Sequence, residues 1–124
     1  MTIFHLVRRD EWERAETTGI YACGSLANEG FIHFSTDRQL LRSAERFFAG
    51  RDDVVVIAVR EDRVTASLRF ECADGEFFPH LYGALNLDAV VEVVPLPLVN
   101  GRFDVPEAWA TRRHLFVRAP EGAA

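Results

Sequence analysis

GFIHFSTDRQ, residues 30–39, changes its periodicity half-way, and that change points to the architecture. Phe31, Ile32 and Phe34 read as a buried strand, yet His33 and Ser35 sit among them. In an extended chain, residues two apart share a face. Phe31, His33 and Ser35 therefore point one way, while Ile32 and Phe34 point the other, into a core. Further along, Thr36 and Gln39 match a T-x-x-Q capping box and predict a helix starting there. Leu40, Leu41, Ala44, Phe47 and Phe48 follow the 3.6-residue period, and Gly50 ends it. This reading makes His33 and Ser35 the wall of a cleft. It also puts Thr36 at a helix entrance, where free N–H groups favour an anion such as a phosphate.

Outward from this stretch, TIFHLV (2–7) predicts a first strand, with Ile3, His5 and Val7 on one face and Phe4 and Leu6 on the other. A short helix follows, capped by Asp10 with Glu13 three residues on, turning Trp12 and Ala15 inward and stopping at Gly19. Residues 20–29 read as irregular loop. DVVVIAV (53–59) is a buried strand and ASLRFEC (66–72) a half-exposed one; FFPHLYG follows the loop ADGE, and AVVEVVPLPLV (89–99) is a late strand. Pro95 and Pro97 push the end of that strand to an edge or out of the sheet. WATRRHLFV reads as a short strand or helix, and APEGAA as a frayed end. Several strands with only two clear helices predict an α+β fold rather than repeated βαβ units, with residues 1–116 as one domain and 117–124 as a tail.

The whole chain sets bounds on function. At 124 residues, with 48% hydrophobic residues, ten Phe and 27% charged residues, it has the size and composition of one globular domain. A net charge of −5 argues against a nucleic-acid or anionic-membrane surface. All 14 basic residues are Arg, so lysine Schiff-base chemistry is excluded. Cys23 and Cys72 form no CxxC motif, which suits a reducing cytoplasm. MTIFHLVRRDEWE has no apolar signal core, and VVVIAV is too short to span a bilayer, so a cytoplasmic protein is expected.

FPHLYG (78–83) repeats the theme of the opening stretch, with His80 and Tyr82 on one face of an extended segment. His5 is the lone polar group of its strand, so three of the four His lie in apolar strand-like segments, where each can bind, donate or titrate. A single such His is more often a satisfied core residue; three with one pattern bring a site into contention. His114, beside Arg112 and Arg113, reads as an exposed surface residue. Arg8 and Arg9 suit either a phosphate grip or a solvated helix entry. Glu71 and Glu76 are either surface charges or the carboxylate that orients a ribose hydroxyl. No HxH, HExxH, GxGxxG or Walker spacing occurs, Ser35 sits on no nucleophile elbow, and no metal is expected.

Taken together, His5 in FHL, Trp12, Gly19, Tyr21, SLANEGFIHFST, Gln39, ERFF (45–48), Glu71 and FPHLYG resemble a small bacterial family, Domain of Unknown Function 952. The resemblance covers about residues 3–100 and implies a distant relative of the ADP-ribosyltransferase fold. Such a fold has two small, mostly antiparallel sheets and a few helices around a cleft that holds NAD in active members. By this resemblance His5 binds ribose or the carboxamide, Ser35 holds the leaving group's amide, and Tyr82 stacks. His33 and His80 hydrogen-bond the substrate, and Glu71 is the electrostatic residue, although Glu76 and His80 also compete for the late-strand carboxylate position. The expectation is a cleft for NAD, as substrate, or for an ADP-ribose-like nucleotide, with ADP-ribosyl or nucleotide transfer as its chemistry. The alternatives are a non-enzymatic ligand-binding module on the same fold, or a metal-dependent hydrolase built on His5, His33 and His80.

Overall fold

The computed structural model describes residues 1–118. Its ten strands are β1 (Thr2–Arg8), β2 (Ile20–Tyr21), β3 (Ile32–His33), β4 (Val54–Arg60), β5 (Ser67–Ala73), β6 (Glu76–Tyr82), β7 (Leu85–Asn86), β8 (Val90–Pro95), β9 (Leu98–Val99) and β10 (Arg102–Phe103). The α-helices are α1 (Arg9–Thr18), α2 (Gly24–Glu29) and α3 (Leu40–Phe48). A 3-10 segment runs over Glu107–Leu115. Two three-stranded antiparallel sheets organise the chain, in the orders β1-β4-β8 and β3-β6-β5. Two-stranded pairings of β2 with β7 and β9 with β10 flank them.

The β1-β4-β8 sheet lies between two hydrophobic cores, and the alternation of its side chains explains why. Ile3 and Val7 of β1 with Val55, Ile57 and Val59 of β4 face Ile32 and Leu81 of the other sheet and Trp12 and Ala15 of α1. Phe4 with Val54, Val56 and Ala58 faces Leu40, Leu41 and Ala44 of α3, together with Phe103 and Trp109. Strand β4 is the shared middle, so six of its seven residues are buried, a run that only a strand covered on both faces tolerates.

Several boundaries differ from the sequence expectation, each for a local reason. Residues 20–29 are not irregular: they carry β2 and α2, closed by Gly30 at φ 87°. Helix α1 begins at Arg9 rather than after an Asp10 cap, because the Arg9 amide donates to the Asp53 carbonyl while Asp10 accepts from the Glu11 amide inside the first turn. Helix α3 begins at Leu40; Thr36 and Gln39 form a turn before it, in which the Thr36 amide donates to Gln39 Oε1. Phe47 is 68% exposed, so the inward stripe of α3 is narrower than its period suggested. Beyond Pro95 the chain leaves the sheet and folds back as the β9–β10 hairpin. The expected tail falls partly outside the described residues; before it, Trp109 is buried and Phe116 stacks on it. No helix among the described residues is long and apolar enough to cross a membrane.

Candidate functional site

The two large sheets are joined at a seam where GFIHFST changes partners. Ile32 and His33 pair with Leu81 and His80 of β6, and the Phe34 amide donates to the Pro79 carbonyl. One residue later Ser35 exchanges both backbone hydrogen bonds with Phe4 of β1, at 2.7 and 2.8 Å. The chain thus crosses from one sheet to the other within three residues. Ile32 and Phe34 are buried in the core as their alternation required.

On the outer face of the β3-β6-β5 sheet, cross-strand register gathers a cluster. His33, His80 and Arg69 are directly paired across three strands, with Tyr82 and Glu71 one step away on the same face. The Phe31 ring stacks on His80 at 4.1 Å and 19°, and lies edge-on to His33 at 4.8 Å. Arg69 lies over the Tyr82 ring at 4.8 Å. Glu71 Oε1 accepts from both the Tyr82 hydroxyl and His80 Nδ1, the latter at 2.9 Å. These two donors, Tyr82 first, hold the Glu71 carboxyl below the usual carboxylate range, and the carboxylate in turn pushes the Tyr82 phenol up.

The tautomer of His80 follows from its partner. A carboxylate oxygen only accepts, so Nδ1 carries the proton, and in the neutral ring Nε2 is an acceptor. The residue is 6% exposed, yet Nε2 has no hydrogen-bond partner among the described residues and is not sealed from solvent. A ring nitrogen held this way, between an aromatic plate and a carboxylate, is set to meet a hydrogen-bonding group from outside. His33 is half-exposed beside it, with Nε2 3.1 Å from Glu29 Oε1.

His5 is placed differently. Its Nδ1 donates to the His33 carbonyl at 2.6 Å, and its Nε2 lies 2.7 Å from the Tyr21 hydroxyl. Burial drives its pKa down to about 4, so the ring is neutral and Nε2 accepts from Tyr21. Burial and the neighbouring Cys23 push the Tyr21 phenol up. Both nitrogens of His5 are therefore spent inside the protein. The sequence expectation set His5 against a ligand; the structure places it at the groove wall with both ring nitrogens turned to Tyr21 and to the strand that carries His33. Among the described residues no three or more His, Cys, Asp or Glu side chains are grouped as metal ligands would be.

Ser35 and Thr36 part from the cluster too. Ser35 is buried; its backbone pairs with Phe4 of β1, and its hydroxyl donates to Ser43 of α3 at 3.0 Å. The Thr36 amide is occupied by Gln39, and the residue stands at a turn rather than at a helix N-terminus. Glu76, the rival carboxylate, is held by both terminal nitrogens of Arg42 on the far side of α3's groove, at 2.7 and 2.9 Å.

That groove, of about 1180 Å³, runs from His33, Ser35 and His5 between α3 and the tip of the β5–β6 hairpin. Of the cations lining it, Arg42 is ion-paired with Glu76 and Arg46 with Asp74. His33 stands where groove and cluster meet. Sequence reasoning missed Phe31 as the plate under His80 and Arg69 as the cation over Tyr82. The period-2 pattern of ASLRFEC carried the second, because it puts Arg69 and Glu71 on one face.

A family model described as "Protein of unknown function (DUF952)" matches residues 6–93, which hold the whole cluster. The chain belongs to the DUF952 family. A crystal structure of protein CC0527 from Caulobacter crescentus is similar to this DUF952 chain with a TM-score of 0.78 and 29% identity, covering 93% of this chain and 98% of that one. The solution NMR structure of CC0527 gives 0.73 and 28%, covering 89% and 95%. These likenesses show a similar fold over nearly the full length of both chains. No curated protein matches the chain in sequence.

Proposed function

We propose that the Phe31–His33–His80–Glu71–Tyr82 cluster binds the ribose-bearing part of NAD or of an ADP-ribose-like nucleotide, and transfers the ADP-ribosyl group. The observation that carries this reading is the unpartnered Nε2 of the buried His80, pinned through Nδ1 by Glu71 and stacked on Phe31. Vicinal ribose hydroxyls are donors that suit such an acceptor, and Phe31 and Tyr82 offer faces to a base or nicotinamide ring. Glu71 supplies the late-strand carboxylate that the resemblance to ADP-ribosyltransferases left without a clear holder. Both of its protein donors use Oε1, so Oε2 is not spent on them. As the bond between the ribose carbon and nicotinamide breaks, positive charge develops on the sugar, and a fixed carboxylate stabilises it. His80 Nε2 or His33 accepts the proton of the incoming nucleophile.

The test is a thermal-shift titration with NAD, ADP-ribose and nicotinamide, followed by an assay of nicotinamide release. Ligand at 100 times its dissociation constant adds about 2.7 kcal/mol, a rise of roughly 10 °C for a domain of this size. His80→Ala abolishes the shift, and Glu71→Gln keeps most of it while slowing release by about a hundredfold. Saturable binding without release would replace transfer by a ligand-binding module on the same cluster. No shift with any of the three at millimolar concentration would overturn the nucleotide reading.

A further inference from the structure

The two large sheets expose edges, and three of them are handled differently. The free edge of β1 is taken by the Ser35 bridge. Strand β8 is interrupted by a register shift opposite Ala58 and Val59 and ends in Pro95, devices that discourage a further strand. Strand β5 has neither: it pairs with β6 over seven consecutive residues, contains no Pro, and its outer backbone bonds to nothing among the described residues.

The turn fixes which groups point outward. Asp74 and Gly75 make a two-residue turn with φ 51° and 80°, so Ala73 and Glu76 form a hydrogen-bonded pair. Alternation then directs the Ser67, Arg69 and Glu71 backbone groups to β6, and those of Leu68, Phe70 and Cys72 outward. Phe70 is 42% exposed and Phe77, diagonal to it on the same face, 64%. An open strand with an apolar underside suits another strand.

We propose that this strand is the seam of a homodimer, in which two β5 strands pair antiparallel about a two-fold axis through Phe70. The sequence is self-complementary in that register. Phe70 faces Phe70 of the second copy, Leu68 faces Cys72, and Arg69 faces Glu71 twice. The charged pairs fall at non-hydrogen-bonded positions, where side chains across an antiparallel ladder are closest. The six-stranded sheet so formed sets two His80 clusters side by side on one face, and each Glu71 receives an Arg69 from the other copy. The proposal stands apart from whichever ligand the cluster takes.

Sedimentation equilibrium of the full chain tests it. The wild type is expected to sediment as a dimer. Arg69→Glu puts like charges opposite each other at both symmetric positions and raises the dimer dissociation constant at least about tenfold. The exchange Arg69→Glu/Glu71→Arg restores it, which a merely structural role for either residue would not do. Phe70→Cys in a Cys23→Ser/Cys72→Ser background cross-links on mild oxidation, since hydrogen-bonded partners lie about 5.5 Å apart at Cα. Circular dichroism confirms that each variant is folded; if a charge variant is not, the cross-link decides. A wild type that stays monomeric at millimolar concentration, or a folded Phe70→Cys chain that does not cross-link to its like, overturns the proposal.

Discussion

At the scale of single residues, His5 and His80 show how one residue type takes two roles in adjacent strands. Each is buried and each has one nitrogen fixed by an acceptor, yet only His80 keeps the other available. For His5 the consequence is a pH dependence of stability. Its folded pKa of about 4 lies below the ordinary imidazole value of 6.5, so the unfolded chain takes up a proton first as pH falls. Stability contributed by the neutral ring is complete above about pH 6.5 and is lost between there and about pH 4, by roughly 3 kcal/mol. Urea unfolding across that window measures the slope, and His5→Gln should flatten it. Histidine NMR signals should show the His5 ring still neutral at pH 5. Three imidazoles in apolar strands were visible in the sequence; which of them would be satisfied internally was not, because Tyr21 and the His33 carbonyl reach His5 only through tertiary packing.

Among the elements, the link between α3 and the β5–β6 hairpin sets the shape of the groove, and its two ties differ in strength. Gln39 is buried; its amide nitrogen donates to the Phe77 carbonyl while its oxygen accepts from Thr36. Arg42 and Glu76 form a two-pronged pair, but both are more than a third exposed. Removing a buried amide strands its partners, at about 1–3 kcal/mol; deleting an exposed ion pair costs about 0–1 kcal/mol. Gln39→Ala should therefore destabilise the fold more than Arg42→Ala, as chemical denaturation of the two variants will show. Periodicity revealed β1, β4 and most of α3, since each buries a continuous face, and alternation alone marked β5 as a half-exposed strand. It failed for α2 and for the 107–115 segment. The first has no buried residue, and the second has a kink at Trp109.

For the molecule as a whole, the sheet between two cores depends on the C-terminal segment to close its second face. Trp109 is 1% exposed, meets Phe4 edge-on, stacks on Phe116, and donates from its indole nitrogen to Glu92. Trp109→Ala should cost roughly 3–5 kcal/mol, read from the urea midpoint. This latch lies beyond the matched family region of residues 6–93. The α+β class was legible from the balance of strand and helix patterns; that Ser35 would tie the two sheets was not, because a single bridge leaves no periodic trace. The Asp74–Gly75 turn has a wider meaning for the cluster. It works like a reading frame. Glu71 comes from one arm of the hairpin and His80 and Tyr82 from the other, and only a turn of this length brings them to the same side. A single residue gained or lost there would turn one arm over, exchanging either Glu71 or His80 and Tyr82 for neighbours of the opposite face. Loop length at this tip thus decides the make-up of a cluster it never touches.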